Sequence, residues 1–327
     1  MRKLRLGTFC LLILFSGVML SHAGAAEEYP SKPITCIVPM EAGADGDINM
    51  RKVMEKSSKL LGKPIMIVNK PGAGQTVGYR EVYASKPDGY TIGTCTASII
   101  TAKMQGIYRY DHRDFTLLGF VYHALPIVLA SKKSPHVFQS IDEIVSYAKK
   151  QPNEVSMATT SVGGVYWLSA LAIEDGLNVD FNLIPQEGSA SFVVTAVAGG
   201  HTDLGVTSFA SAKAQIEAGN IRFLAVAGPQ GYPGKYSHVK TLKEQGHNIS
   251  LSSFAAILGP PHMPKEVVAK LAGIFEKATK DPEVENFIVG NNMIPSFMPT
   301  DQFLAFCIDQ ENTYRKILAK VGKLKSK

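Results

Sequence analysis

The chain has few of the residues that most catalytic sites need. Of its 327 residues only four are cysteine and one is tryptophan. The eight histidines are scattered, without an H-x-x-x-H pair or a Cys/His ligand spacing, so no metal site is readable. G-x-S-x-G and G-x-x-x-x-G-K-[ST] are both absent, which removes the nucleophile elbow and the P-loop. The glycines at Gly72, Gly74 and Gly78 mimic a dinucleotide fingerprint. Their spacing is one residue too long, and Lys70-Pro71 stands where the tight turn belongs. The adjacent acids Glu27-Glu28 and Asp142-Glu143 read as a solvated start and a helix cap, not as an acid/base pair.

Long apolar runs are also lacking, apart from one near the start. Arg2, Lys3 and Arg5 precede the run Leu11 to Leu20, and Ser21-His22-Ala23-Gly24-Ala25-Ala26 follows. That order describes a secretory signal peptide over residues 1–26, cleaved after Ala26 or alternatively after Ala23. The expected mature chain is exported and soluble. It keeps 301 of the 327 residues, and losing three basic side chains lowers the net charge from +6 to +3. Nucleic acid is not an expected partner at that charge. Cys36, Cys95 and Cys307 remain in apolar stretches and read as buried thiols; one disulfide among them stays open.

What is present is a repeated unit: a short apolar strand, a loop of small residues, then a helix. Ile34–Val38 leads through Met40, Ala42, Gly43, Ala44 and Asp45 to a helix expected near Ile48 with Asp47 as its cap. Strand Tyr90–Thr94 runs into Thr94, Thr96 and Ser98. Val155–Ala158 runs into Thr159, Thr160 and Gly163, with Trp167 in the following helix. The strand near Asn182 leads to Gly188, Ser189 and Ala190, and Leu204–Val206 leads to Thr207 and Ser208. The alternation predicts an α/β protein with mainly parallel sheets. Two such sets and a late return predict two lobes, residues 27–127 with 255–327 and residues 128–254, joined by two hinge crossings. Loops of this composition at strand ends offer N–H and hydroxyl donors to an anion, which favours a carboxylate ligand.

Several stretches carry a resemblance. They are Tyr29-Pro30-Ser31-Lys32-Pro33, Val38-Pro39, Ala42-Gly43, Asp47, Asn69-Lys70-Pro71-Gly72-Ala73-Gly74 and Pro87-Asp88-Gly89-Tyr90-Thr91. Pro185, Gly199-Gly200, Asp203, Ala218-Gly219 and Asp281-Pro282-Glu283-Val284 continue it. Together they resemble the tripartite tricarboxylate transporter receptors, the Bug family of periplasmic solute-binding proteins. The resemblance implies a class II periplasmic-binding-protein fold that closes on a small carboxylate without cofactor or catalysis. It also implies a monomer that hands its ligand to integral-membrane permease subunits. The amides of the opening loop and of the Thr159–Gly164 loop are implied carboxylate holders, with the hydroxyls of Thr94, Thr96 and Ser98 and the loop at Gly188 completing the ring. Met40-Glu41 replaces the family's aromatic-Pro pair, and Thr207-Ser208 replaces an Asp-Asn. Losing that aspartate favours a di- or tricarboxylate, or an apolar acid beside Trp167, over an amino acid. A sensor feeding a membrane kinase or chemoreceptor is the alternative role.

Overall fold

A computed structural model gives the fold and describes residues 29–160, 162–186, 190–232 and 234–325. The expected signal peptide lies outside the described residues. The first half comprises β1 (Ile34–Val38), α1 (Asp45–Leu61), β2 (Ile65–Asn69), α2 (Thr76–Tyr83), β3 (Thr91–Cys95), α3 (Ser98–Met104) and β4 (Thr116–Ala124). Next come β5 (Pro126–Ser131), α4 (Ile141–Ala148), β6 (Ser156–Thr160), α5 (Val165–Leu177), β7 (Asn182–Gln186), α6 (Ala190–Gly199), β8 (Leu204–Ser208), α7 (Phe209–Glu217) and β9 (Ile221–Val226). The chain ends through β10 (Ser253–Gly259), α8 (Lys265–Thr279), α9 (Pro282–Gly290), β11 (Ile294–Met298) and α10 (Thr300–Lys320).

The strands form two sheets, ordered β11-β4-β10-β3-β1-β2 and β7-β6-β8-β5-β9. Each sheet keeps a parallel block. In the first, Ile34 lies opposite Ile65 and Thr35 opposite Thr91; in the second, Ser156 lies opposite Asn182 and Met157 opposite Leu204. The strands that carry the chain across, β4, β5 and β10, enter antiparallel pairings, so both sheets are mixed. The architecture is the expected two-lobed α/β fold. β11 is an addition that the sequence pattern hides, because Ile294-Pro295-Ser296-Phe297-Met298 carries a proline and pairs irregularly at the sheet edge.

One crossing is a single residue, Leu125, between β4 and β5. The other lies just before β10. Ala227 N–H donates to Pro126 O at 2.8 Å and Leu251 N–H donates to Ala227 O at 2.7 Å, so the crossings are stitched side by side. The Tyr232 hydroxyl donates to Leu125 O at 3.3 Å. One apolar cluster runs through both lobes, from Phe120, Phe254 and Phe303 to Leu168, Ile173 and Phe181.

Local signals mostly hold. Gly62 ends α1 in the left-handed conformation at φ 67°, where an L side chain is strained. Asp281 caps α9, accepting from Glu283 N–H at 3.0 Å, with Pro282 in the first turn. Ser140 caps α4, but Glu143 reaches back to Gln139 N–H at 2.6 Å, one residue earlier than a capping box requires. Asp47 is not the cap of α1. The helix starts three residues sooner than its cap assignment required, Ala44 holds the cap position, and Asp47 sits within the first turn.

Candidate functional site

Parallel pairing places the C-terminal ends of β1 and β3 on one edge of the first sheet, and those of β6, β7 and β8 on one edge of the second. Helices α1, α3, α5, α6 and α7 begin at those ends. Three hydrogen bonds across the lobes set the edges face to face. Ser208 and Ser211 hydroxyls donate to Asp45 Oδ2 at 3.3 and 3.4 Å. The Gln105 side chain, at the end of α3, donates to Gly163 O at 3.2 Å. The starts of α1 and α7, and the end of α3 with the loop before α5, therefore meet at the lobe boundary.

The opening loop is pinned from beneath. Asp47, fully buried, accepts from Gly43 N–H at 2.9 Å, Arg51 Nε at 2.8 Å and Asn69 Nδ2 at 2.8 Å. Burial alone would raise this carboxyl; the Arg51, Gly43 and Asn69 bonds outweigh it and hold it below the ordinary range. Asn69 also donates to Met40 O at 3.0 Å. The Gly43 and Ala44 amides are thus already used, the second on Glu41 O at 3.2 Å. The α1 amides of Asp45, Gly46 and Asp47 come before the first helical bond, from Ile48 to Ala44 O. Met40 lies half-buried with its sulfur over Gly46, while Ala42 and Gly43 are exposed.

The hydroxyl group of the first lobe is organised by a residue that the sequence reading passed over. Gln75 Oε1 accepts from Tyr79, Thr96 and Ser98 at 2.8, 3.0 and 2.9 Å. Gln75 adopts φ 77°, unusual for a side-chain-bearing residue, which points it back into the loop. It lies inside the Gly72–Gly78 stretch, where glycine spacing drew the attention. Thr94 is placed apart from this network: it is buried, and its hydroxyl has no hydrogen-bond partner among the described residues.

In the second lobe Thr159 is fully buried and donates to Thr160 O at 2.9 Å; Thr160 ends β6 half-buried. Thr207 is also buried and donates to Ala190 O at 3.4 Å, tying β8 to the start of α6. Ser208 caps α7, accepting from Ser211 N–H at 3.3 Å. Gly163 has φ 88°, which favours glycine, and a Cβ there would push on the Gln105 side-chain end at 2.5 Å. Gly188 and Ser189 lie outside the described residues. Trp167 is 6% exposed and belongs to the main core cluster. Its neighbour Tyr166 is the residue of this turn at the lobe boundary, hydrogen-bonded to Ser208. Burial first, then the Asp45 charge, push the Tyr166 phenol up. Tyr122, fully buried, is raised by burial first and then by the Asp45 charge. No aromatic-spacing signal distinguishes Tyr166 from Trp167; only the helix phase in the folded chain does.

The profile described as "Tripartite tricarboxylate transporter family receptor" matches residues 49–323. The chain belongs to that receptor family. BugT of Bordetella pertussis is 25% identical over 321 residues, covering 95% of this chain and 97% of BugT. A solved TctC solute-binding protein from Polaromonas is 27% identical with a TM-score of 0.77, covering 89% of this chain and 99% of that one. A structure from R. palustris, with adipate, superposes with a TM-score of 0.78 at 22% identity, covering 90% and 99%. The receptor-family and Bug-family resemblance read from stretches along the whole mature chain is therefore correct, and the matching profile spans most of them, from Asn49 onward.

Proposed function

We propose that this receptor captures a small carboxylate in the cleft between its lobes and delivers it to the integral-membrane subunits of a tripartite tricarboxylate-type permease, working in the periplasm as a non-catalytic monomer. Residues 27–127 with 255–327 form one jaw and 128–254 the other, turning about Leu125 and the segment just before β10. The observation that carries this reading is the pair of cross-lobe bonds, Asp45 to Ser208 and Gln105 to Gly163. They support a cleft whose walls are helix N-termini and hydroxyls, the donor set that an anion needs. Lys70, the one cation of the loops, is turned to Glu81 at 3.3 Å, so charge recognition rests on amides and hydroxyls. The adipate held by the R. palustris relative points to the same ligand class.

The test is a thermal-shift screen of the protein, purified as exported, against mono-, di- and tricarboxylates and amino acids. A ligand that binds only the folded state adds about 2.7 kcal/mol at a hundred times Kd. A clear rise with one carboxylate class is the expected result. A shift confined to sugars or cations added to the same panel would overturn it.

A further inference from the structure

Asp45 already places a carboxylate where the proposed ligand's carboxylate would go. Its Oδ2 accepts from the hydroxyls of Ser208 and Ser211 at the N-terminus of α7, on the opposite lobe. Ser208 is itself the cap of that helix and also bonds Tyr166. Asp45 stands at the start of α1 and its own carbonyl is anchored by Asn49 Nδ2 at 2.8 Å, so the side chain projects from a fixed base. Both partners belong to the chain, and the contact spans the boundary between the lobes. Packing follows it: Ala210 of α7 rests on the apolar cluster of the first lobe, and Ile294 of β11 on that of the second.

We propose that Asp45 is an internal stand-in for a ligand carboxylate, a latch that holds the two lobes together and must be displaced before an anionic ligand reaches the α7 donors. Two effects then act in one direction. The latch competes for the hydroxyls, and its negative charge opposes a second carboxylate within a few ångströms. Asp45 thereby sets selectivity: it disfavours short anions that cannot reach around it, and favours ligands whose distal carboxylate is bound well enough to break the contact. If the latch is closed about nine times in ten, apparent affinity falls about tenfold. The selectivity part rests on the carboxylate reading above; the latch part does not.

The experiment compares wild type with Asp45→Ala and Asp45→Asn, each exported, stripped of bound ligand by unfolding and refolding, and checked for cooperative melting. Small-angle scattering without added ligand reads the latch. Titration calorimetry with succinate, malate, adipate and glutamate reads the competition. The expected result is a larger radius of gyration for Asp45→Ala and a Kd for at least one dicarboxylate tightened on the order of tenfold. Asp45→Asn keeps an oxygen acceptor and loses the charge, so it should tighten binding with a smaller expansion. Identical scattering of wild type and Asp45→Ala overturns the latch. Expansion with unchanged or weaker dicarboxylate binding overturns the competition, and a selective loss of glutamate binding would make Asp45 an ammonium ligand instead. If no carboxylate binds any of the three proteins, the ligand reading fails and scattering alone decides the latch.

Discussion

The imidazole of His123 and the hydroxyl of Ser252 join the two chain crossings, with Nδ1 2.7 Å from Oγ. Ser252 spends its own proton on Ser253 O at 2.9 Å, so the neutral imidazole carries hydrogen on Nδ1 and donates it to the serine. Phe120 and Phe306 flank the ring, with centroids 4.5 and 5.8 Å away. Burial in that setting lowers the imidazole from 6.5 to about 4.

A pH dependence of stability follows. Between about pH 4 and 6.5 the unfolded chain holds a proton on His123 that the folded chain refuses. Stability therefore rises with pH through that window and is full above it. The difference amounts to at most about 3 kcal/mol. Urea unfolding at pH 4.5 and 7.5 should show this slope, and His123→Gln should flatten it.

Glu174 opposes that trend. It accepts from Phe181 N–H at 2.7 Å, and burial, with Asp180 nearby as a second cause, raises it from 4.5 to about 7. Folded Glu174 is protonated where the unfolded side chain is charged, so its contribution is whole below pH 4.5 and is lost as pH rises through 7. Glu174→Gln should match wild type at pH 4 and exceed it at pH 8 by up to about 3 kcal/mol, read as a shift in urea midpoint.

How much of this was legible in the sequence depends on what each feature requires. The alternation of strand and helix and the helix start at Asp142-Glu143 are local, and they read correctly. The loop residues Asp45, Gly163 and Ser208 were picked because small and polar side chains mark strand ends, and the fold brings all three to the lobe boundary. Gln75, Gln105, Tyr166 and Ser211 were missed because their roles depend on partners far along the chain or on helix phase. Trp167 was chosen for its chemistry, and the helix turned it into the core. Glu174, next to Asp175, was passed over because its burial comes from tertiary packing.

Two glycines separate packing from propensity. Gly78 lies in α2, where a Cβ would stand 2.7 Å from Pro39 Cβ and 3.2 Å from Lys70 O. Backbone on that side cannot yield, so Gly78→Ala should destabilise by about 1–3 kcal/mol despite the better helix former. Gly273 in α8 has nothing within 4 Å of the same position, and Gly273→Ala should stabilise by up to about 1 kcal/mol. Thermal midpoints moving in opposite directions would bear this out.

The opening loop makes the last prediction, because one carboxylate holds it. Asp47 accepts three donors while buried, and its neutral isostere would turn an NH2 group toward at least one of them. Asp47→Asn should therefore cost about 2–4 kcal/mol, since it leaves buried donors unmet. Its folded carboxyl is held below 3.8, so the stability it contributes is present above that value and lost as pH falls through the folded pKa. Wild type and Asp47→Asn should converge in strong acid. Asp47→Ala removes both oxygens, and hydrogen exchange at the Gly43 amide should speed up in that variant. Arg51→Ala removes only a half-exposed partner and should cost under about 1 kcal/mol. If the loop amides hold the ligand, Asp47→Asn also weakens dicarboxylate binding. Lys70→Ala leaves both stability and binding near wild type, because that ammonium faces Glu81. Equal loss of binding in the two variants would mean that Lys70, not the pinned loop, carries recognition.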